Sequence, residues 1–337
     1  MINTNTSWKN NNNYPFLLKP SGKDYIWGGN RLNEEFNKNI DLSPLAETWE
    51  CSTHPDGPSI IASGEYNGRL LKEVLNKHPE YLGSHPKKNG ELPILVKFID
   101  AKRDLSVQVH PTDEYAMKKE NGQLGKTEMW YVLDATKDAK LVHGFNRNVT
   151  KKSIKESIKD GTIEKYLNKV SVNKGDLFYI KSGTVHAIGA GTMVAEIQEN
   201  SNLTYRLYDY NRVDKNGKLR ELHIDKALEV LNYKTSKEIR QPIRVYKYKR
   251  GYSSEFLCRC KYFEVYKEKI NTQNFKDMYK FKTQSNSFHV LLCIEGCGTL
   301  ISDKEDILFF KGDCIFIPAN STELRIHGIA SFLNISC

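Results

Sequence analysis

The segment Asp104-Leu105-Ser106-Val107-Gln108-Val109-His110-Pro111 carries polar side chains at alternate positions. Side chains of an extended strand alternate between its faces, so Ser106, Gln108 and His110 share one side while Leu105, Val107 and Val109 share the other. One face then packs, and the opposite face offers an amide and an imidazole to a metal ion or polar ligand. A surface strand with its polar face in water has the same pattern, so the segment needs partners before it means chemistry.

Glu128 is one such partner. It opens Glu128-Met129-Trp130-Tyr131-Val132-Leu133 on the face of Trp130 and Val132, where a buried, unpaired carboxylate would lose its hydration. A bound cation removes that difficulty, as does pairing with Lys126 on the same face or exposure at the strand end. His186 is the other, in Ser182-Gly183-Thr184-Val185-His186-Ala187-Ile188-Gly189, whose glycines allow a tight turn between strands. A histidine alone among apolar neighbours is more often a hydrogen-bonded core residue. Two His and one Glu from separate strands, with the Gln108 amide oxygen as a fourth donor, form a mixed set suited to Zn2+; Fe2+ or Mn2+ can use the same donors.

The elements that must position these groups are mostly short strands of Val, Ile, Phe and Tyr, separated by Gly, Asn, Asp and Lys turns. Helical stripes are predicted at 70–77, before Pro79, at 150–170, broken at Gly161 with Thr162 capping the second piece, and at 224–231. An internal repeat divides the chain. Gly175, Lys181, Gly183 and His186 recur at the same intervals as Gly312, Pro318, Asn320 and Glu323, the spacing of the second cupin motif. The expected fold class is mainly β: two cupin-type, jelly-roll β-barrels in tandem, with a few helices inserted in and flanking the first. Residues 1–235 form the metal-binding unit and 236–337 a degenerate copy without metal, in keeping with a length that exceeds one ordinary core.

Composition narrows the function classes. The net charge of +9 comes from dispersed lysines, and its densest patch, 244–250, lacks any helix-turn-helix, finger or RNP pattern, so an anionic small molecule is expected rather than nucleic acid. Seven cysteines without a CxxC pair read as reduced thiols, with Cys258 and Cys260 at alternate positions along a strand. The Asn-rich start has no apolar leader and no long apolar run occurs, so a cytoplasmic protein without membrane contact is expected.

Several ordered segments resemble the type I mannose-6-phosphate isomerases, or phosphomannose isomerases, most closely the short bacterial form. They are Tyr25-Ile26-Trp27-Gly28-Gly29, Glu47 to Pro55, Leu105 to Pro111, Lys126 to Trp130, Ser182 to Gly191, and Glu196 to Arg212 with its Asn200-Ser201-Asn202-Leu203-Thr204-Tyr205-Arg206 run. The resemblance implies one Zn2+ held by Gln108, His110, Glu128 and His186, with Arg206 as the active-site arginine and Lys126 and Ser106 holding the sugar phosphate. Lys181 departs from the usual proline before the histidine turn. The implied reaction moves a proton between C1 and C2 of mannose 6-phosphate through a cis-enediol to give fructose 6-phosphate. Zn2+ would polarise the carbonyl, and Arg206 would stabilise an oxyanion or a phosphate oxygen. Without the resemblance, Arg206 reads as an ion-pair partner of Asp209 or Glu196. The proton carrier stays open among a lysine, His54 and Glu196. Rival readings are a non-catalytic phosphosugar-binding regulatory cupin and an Fe2+ oxygen enzyme. The expected partner is the phosphosugar alone, with the chain a monomer or weak dimer.

Overall fold

The computed structural model describes residues 13–86, 91–213, 216–236, 244–274 and 278–337. A pair of antiparallel sheets encloses a core in the leading region. One runs in the order Leu177–Ile180, Glu128–Ala135, Thr192–Glu199, Ile94–Ala101, Glu47–Cys51, Ser21–Lys23; the other runs Tyr205–Tyr208, Val107–Val109, His186–Ala187, Lys140–Phe145, Leu167–Ser171. Every residue of Ile94–Ala101 and Thr192–Glu199 is buried, because both faces of that sheet are covered. Ile99, Trp130, Phe178 and Val194 point into the barrel, where they meet Leu105, Leu141 and Ile188. Their alternates Val96, Phe98, Met129 and Ile197 point outward against Val290, Leu292, Phe316 and Leu333 of the trailing region.

Val107 and Val109 pack outward beneath Ile154, Ala227 and Leu228, which lie on the helices Lys151–Lys159 and Ile224–Val230. Leu105 does not share their side: the strand begins at Val107, and Leu105 joins the barrel interior instead. The helix expected at 70–77 forms as Leu71–Lys77. The 150–170 stripe forms Lys151–Lys159, held by a reciprocal cap between Thr150 and Ser153, and its second piece is a single 3-10 turn, Ile163–Tyr166, that Thr162 does not cap. Beyond it, Leu167 and Val170 pair with Phe145 and Leu141 as strand, so sheet contacts outweigh the helical spacing. Short helices at Arg31–Phe36 and Asp113–Lys119 complete the leading region. No helix among the described residues is long and apolar enough to cross a membrane.

The trailing strands Tyr246–Lys249, Tyr252–Arg259, Glu264–Asn271, Leu324–Ser336, His289–Ile301 and Cys314–Ile317 are successive neighbours in a sheet that wraps Leu291, Leu300, Phe309 and Phe332. The sheet continues into Phe16–Lys19 and Ile60–Ile61 from the start of the chain, so strands from both sides of residue 235 share it. The repeat is visible in the backbone. Gly175 and Gly312 have φ of +90° and +103°, and the following Asp176 and Asp313 accept from the N–H of Asn173 and Phe310 at 2.8 and 2.7 Å. Gly183 at φ +86° is matched by Asn320 at +54°, a residue that tolerates the left-handed region. His186 is fully buried, whereas Glu323 is exposed and pairs with Lys280 at 3.1 Å.

Candidate active site

Three side chains converge inside the leading barrel. His110 follows the strand Val107–Val109, His186 opens His186–Ala187, and Glu128 comes from the opposing sheet; their ligand atoms all lie within 4.8 Å of one another. His110 Nε2 is 3.5 Å from Glu128 Oε2, and His186 Nε2 is 3.4 Å from Glu128 Oε1. Each imidazole donates its Nδ1–H to a carbonyl, that of Leu203 at 2.9 Å and that of Thr184 at 2.8 Å. Those bonds select the tautomer whose Nε2 lone pair faces the cluster. His110 Nε2 and both Glu128 oxygens are buried without a hydrogen-bond partner, an arrangement whose desolvation a cation at the centre would offset.

Protonation states agree with ligation. Burial depresses the His186 pKa to about 3 and lowers that of His110, so both rings are neutral near pH 7. Burial pulls the Glu128 carboxyl upward, but the charge of the Lys126 ammonium, 2.8 Å away, is the leading influence that lowers it and keeps it ionised. Two neutral imidazoles and a carboxylate fit a divalent ion.

The neighbouring strands extend the site sideways. Gln108 is the register partner of His186 on one side and of Arg206 on the other, so Arg206, Gln108 and His186 form an inward row across three strands. Gln108 Nε2 lies 3.4 Å from His186 Nε2. Beside this row is a cavity of about 230 Å3, whose walls include Ser106, Gln108, Lys126, Glu196, Arg206 and Arg220. Cation-rich and polar, it suits a small anion with hydroxyl groups.

A model of the type I phosphomannose isomerase catalytic domain matches residues 16–131, and one of the mannose-6-phosphate isomerase cupin domain matches residues 252–336. Mannose-6-phosphate isomerase ManA of Bacillus subtilis is 40% identical over 316 residues, covering 94% of this chain and 96% of its own length. The chain belongs to the type I phosphomannose isomerase family. Mannose-6-phosphate isomerase of Streptococcus mutans is 36% identical over 305 residues, 90% of this chain and 92% of its own. The crystal structure of mannose 6-phosphate isomerase from Bacillus subtilis superposes with a TM-score of 0.87 at 35% identity, covering 96% of this chain and 99% of that one.

Within this family member all seven residues singled out in the sequence lie around the cluster and cavity. Lys126 is nearly fully buried between Glu128 and Glu196, the latter 3.6 Å away, which puts it at the cluster end of the cavity. Arg206 pairs with neither Asp209 nor Glu196: its Nε donates to Ser106 Oγ at 3.2 Å and its Nη1 to the Glu221 carbonyl at 2.7 Å. Among the proton-carrier candidates, Glu196 lines the cavity, whereas His54 packs edge-on to Trp49 outside that lining. Sequence reading missed Lys97, Glu47 and Arg220, which also line the cavity. Lys97, set in the apolar run Ile94-Leu95-Val96-Lys97-Phe98-Ile99, carried a usable signal: a lysine inside a strand buried on both faces needs an anionic partner.

Proposed function

We propose that the chain interconverts mannose 6-phosphate and fructose 6-phosphate, using one Zn2+ held by His110, Glu128 and His186 with the Gln108 amide oxygen as fourth donor. The observation that carries this reading is the convergence of buried ligand atoms from His110, Glu128 and His186 within 4.8 Å of one another, beside a cavity lined by Gln108 and Lys126. The names of the relatives, mannose-6-phosphate isomerases, support the choice of substrate.

Moving a proton between C1 and C2 requires an electrophile at the carbonyl, a proton carrier and donors for the developing oxyanion and the phosphate. Zn2+, when bound, supplies Lewis-acid polarisation of the carbonyl oxygen. Glu196 Oε1 has no hydrogen-bond partner, and burial together with the Glu128 charge raises the affinity of this carboxylate for a proton. Glu196 therefore holds and returns a proton at that oxygen. Lys126, read from the sequence as a phosphate contact, instead offers its ammonium to sugar oxygens beside Glu128 and Glu196. Arg206 has N–H groups beyond its two bonds to give to an oxyanion or phosphate oxygen, and the Ser106 hydroxyl beside it can donate to the same group. The two sheets exclude bulk water from these charges, which strengthens each interaction. In this reading 1–235 is the catalytic unit and 236–337 a metal-free companion, and the protein works in the cytoplasm as a monomer or weak dimer.

Metal analysis of the purified protein, coupled to conversion of mannose 6-phosphate before and after chelation, tests the proposal. Stoichiometric zinc and activity that a chelator removes and zinc restores are expected. Metal-loaded protein that binds the phosphosugar without converting it would establish a regulatory binder instead.

A further inference from the structure

Three arginines gather beside the cavity, on and after the edge strand Tyr205–Tyr208. Two of them face the cavity, Arg206 and Arg220. The third, Arg212, is turned aside: it lies over the Tyr210 ring and donates to the carbonyls of Asp104 and Asp209. Arg220 arrives from a loop with no strong pattern of its own. What brings it in is a double tie at His223, in which the Arg206 N–H donates to the His223 side-chain Nδ1 at 3.2 Å and the His223 backbone N–H returns a bond to the Arg206 carbonyl at 2.8 Å.

Asp209 is the carboxylate bonded to this group, and Glu221 adds a second negative charge near Arg206. Asp209, 5% exposed, accepts from Arg212 and, at 3.4 Å, from Arg220 through the same oxygen, Oδ1, while its Oδ2 is buried without a hydrogen-bond partner. Three guanidinium charges outnumber the carboxylates beside them and leave the group net positive. Arg206 has a depressed pKa, first through burial and then through the charge of Arg220. Holding like charges together in a half-buried wall is unfavourable unless an anion of matching charge sits between them. A phosphate monoester is such an anion, and planar guanidinium forks match its oxygens.

We propose that Arg220 joins Arg206 in recognising the 6-phosphate dianion of the substrate, making Arg220 a specificity-determining residue, and that Asp209 is a positioning residue that holds Arg220 toward the cavity. The inference rests on the phosphosugar reading above and refines it. Lys126 and Glu196 then serve the reacting carbons, and the arginine pair holds the phosphate. Ser106 is bonded to Arg206 and shares the cavity wall.

The test compares wild-type holoenzyme with Arg220→Met, Arg220→Lys and Asp209→Asn, measuring kcat and KM for mannose 6-phosphate and the binding of inorganic phosphate by calorimetry. Arg220→Met is expected to raise KM about tenfold to a hundredfold and to weaken inorganic phosphate by a similar factor, with kcat changed less than about threefold. Arg220→Lys keeps the charge without the fork and should fall between, and Asp209→Asn should shift KM and phosphate binding in the same direction by a smaller factor. A loss confined to kcat, or phosphate binding unchanged in Arg220→Met, overturns the proposal. Should the wild type fail to isomerise mannose 6-phosphate, the enzyme reading fails, and the phosphate titrations still decide the arginine assignment. If Arg220→Met does not fold, Arg220→Lys against wild type supplies the same comparison.

Discussion

Gln108 and His186 are register partners on adjacent antiparallel strands, and their side-chain nitrogens lie 3.4 Å apart. Half a turn of the amide exchanges its nitrogen for its oxygen, which brings a donor atom for a metal to the same point. Unlike His110, Glu128 and His186, which are buried, Gln108 is half-buried and lines the cavity. Its contribution should therefore be graded. Gln108→Ala is expected to keep the metal with affinity reduced about tenfold to a hundredfold, measured by competition with a chromophoric chelator. Loss as complete as that of a histidine variant would make the amide a full ligand.

His110→Ala and Glu128→Ala should behave differently, since each removes a buried donor that faces the cluster directly. Both are expected to abolish metal uptake and turnover while far-ultraviolet circular dichroism stays near wild type. Arg206→Ala should retain the metal and slow catalysis by roughly a hundredfold to a thousandfold. Metal retained at full stoichiometry in either of the first two variants would remove the assignment of the site.

Lys97 offers a test of stability within the same site. Its Nζ is 3.4 Å from both Glu47 Oε2 and Glu196 Oε1, over the Trp49 ring, and the residue is 4% exposed. Burial favours the neutral amine, but the two carboxylates more than offset it and the pKa rises. Lys97→Met removes the cation shared by two buried carboxylates, leaving Glu47 with only its Trp49 bond and Glu196 with Trp130 and Lys126, and should destabilise the fold by about 3 kcal/mol in chemical denaturation. A cost under about 1 kcal/mol would mean that one carboxyl is already protonated in the native state.

What the sequence disclosed, and what it withheld, follows from the range of the interactions. Ser106, Gln108 and His110 were legible because alternation within one strand is a local rule. That rule lapsed at Leu105, where the chain bends before the strand starts and turns the side chain into the barrel. The glycine spacing around His186 was legible too, since Gly175 and Gly183 need φ values that few other residues adopt. Thr162 failed as a cap because strand pairing at Leu167 and Val170 overrode a helical spacing. Arg220 and the pairing of Phe16–Lys19 with Cys314–Ile317 depend on contacts between distant segments, for which no local periodicity exists.

A pair of carboxyl groups, buried Glu199 and half-buried Asp113, yields the last prediction. Glu199 accepts the Thr127 N–H at 2.7 Å and shares a hydrogen bond with Asp113, whose Oδ2 accepts from the Tyr262 hydroxyl of the trailing region at 2.9 Å. Burial and the Asp113 charge push the Glu199 pKa up to about 8, from an ordinary 4.5. The folded state thus binds this proton more tightly than the unfolded chain. Its stabilising contribution is complete below pH 4.5, declines as pH rises, and is gone above about 8. Asp113 itself is shifted down from 3.8, so its own titration falls below this window. Glu199→Gln mimics the protonated acid, accepting from Thr127 through its oxygen and donating to Asp113 through its nitrogen. Denaturation at pH 5 should find variant and wild type nearly equal, with the variant gaining about 1.4 kcal/mol per pH unit toward pH 8 and nothing further beyond. A difference that stays constant from pH 5 to 9 would show that the two carboxyl groups do not share a proton.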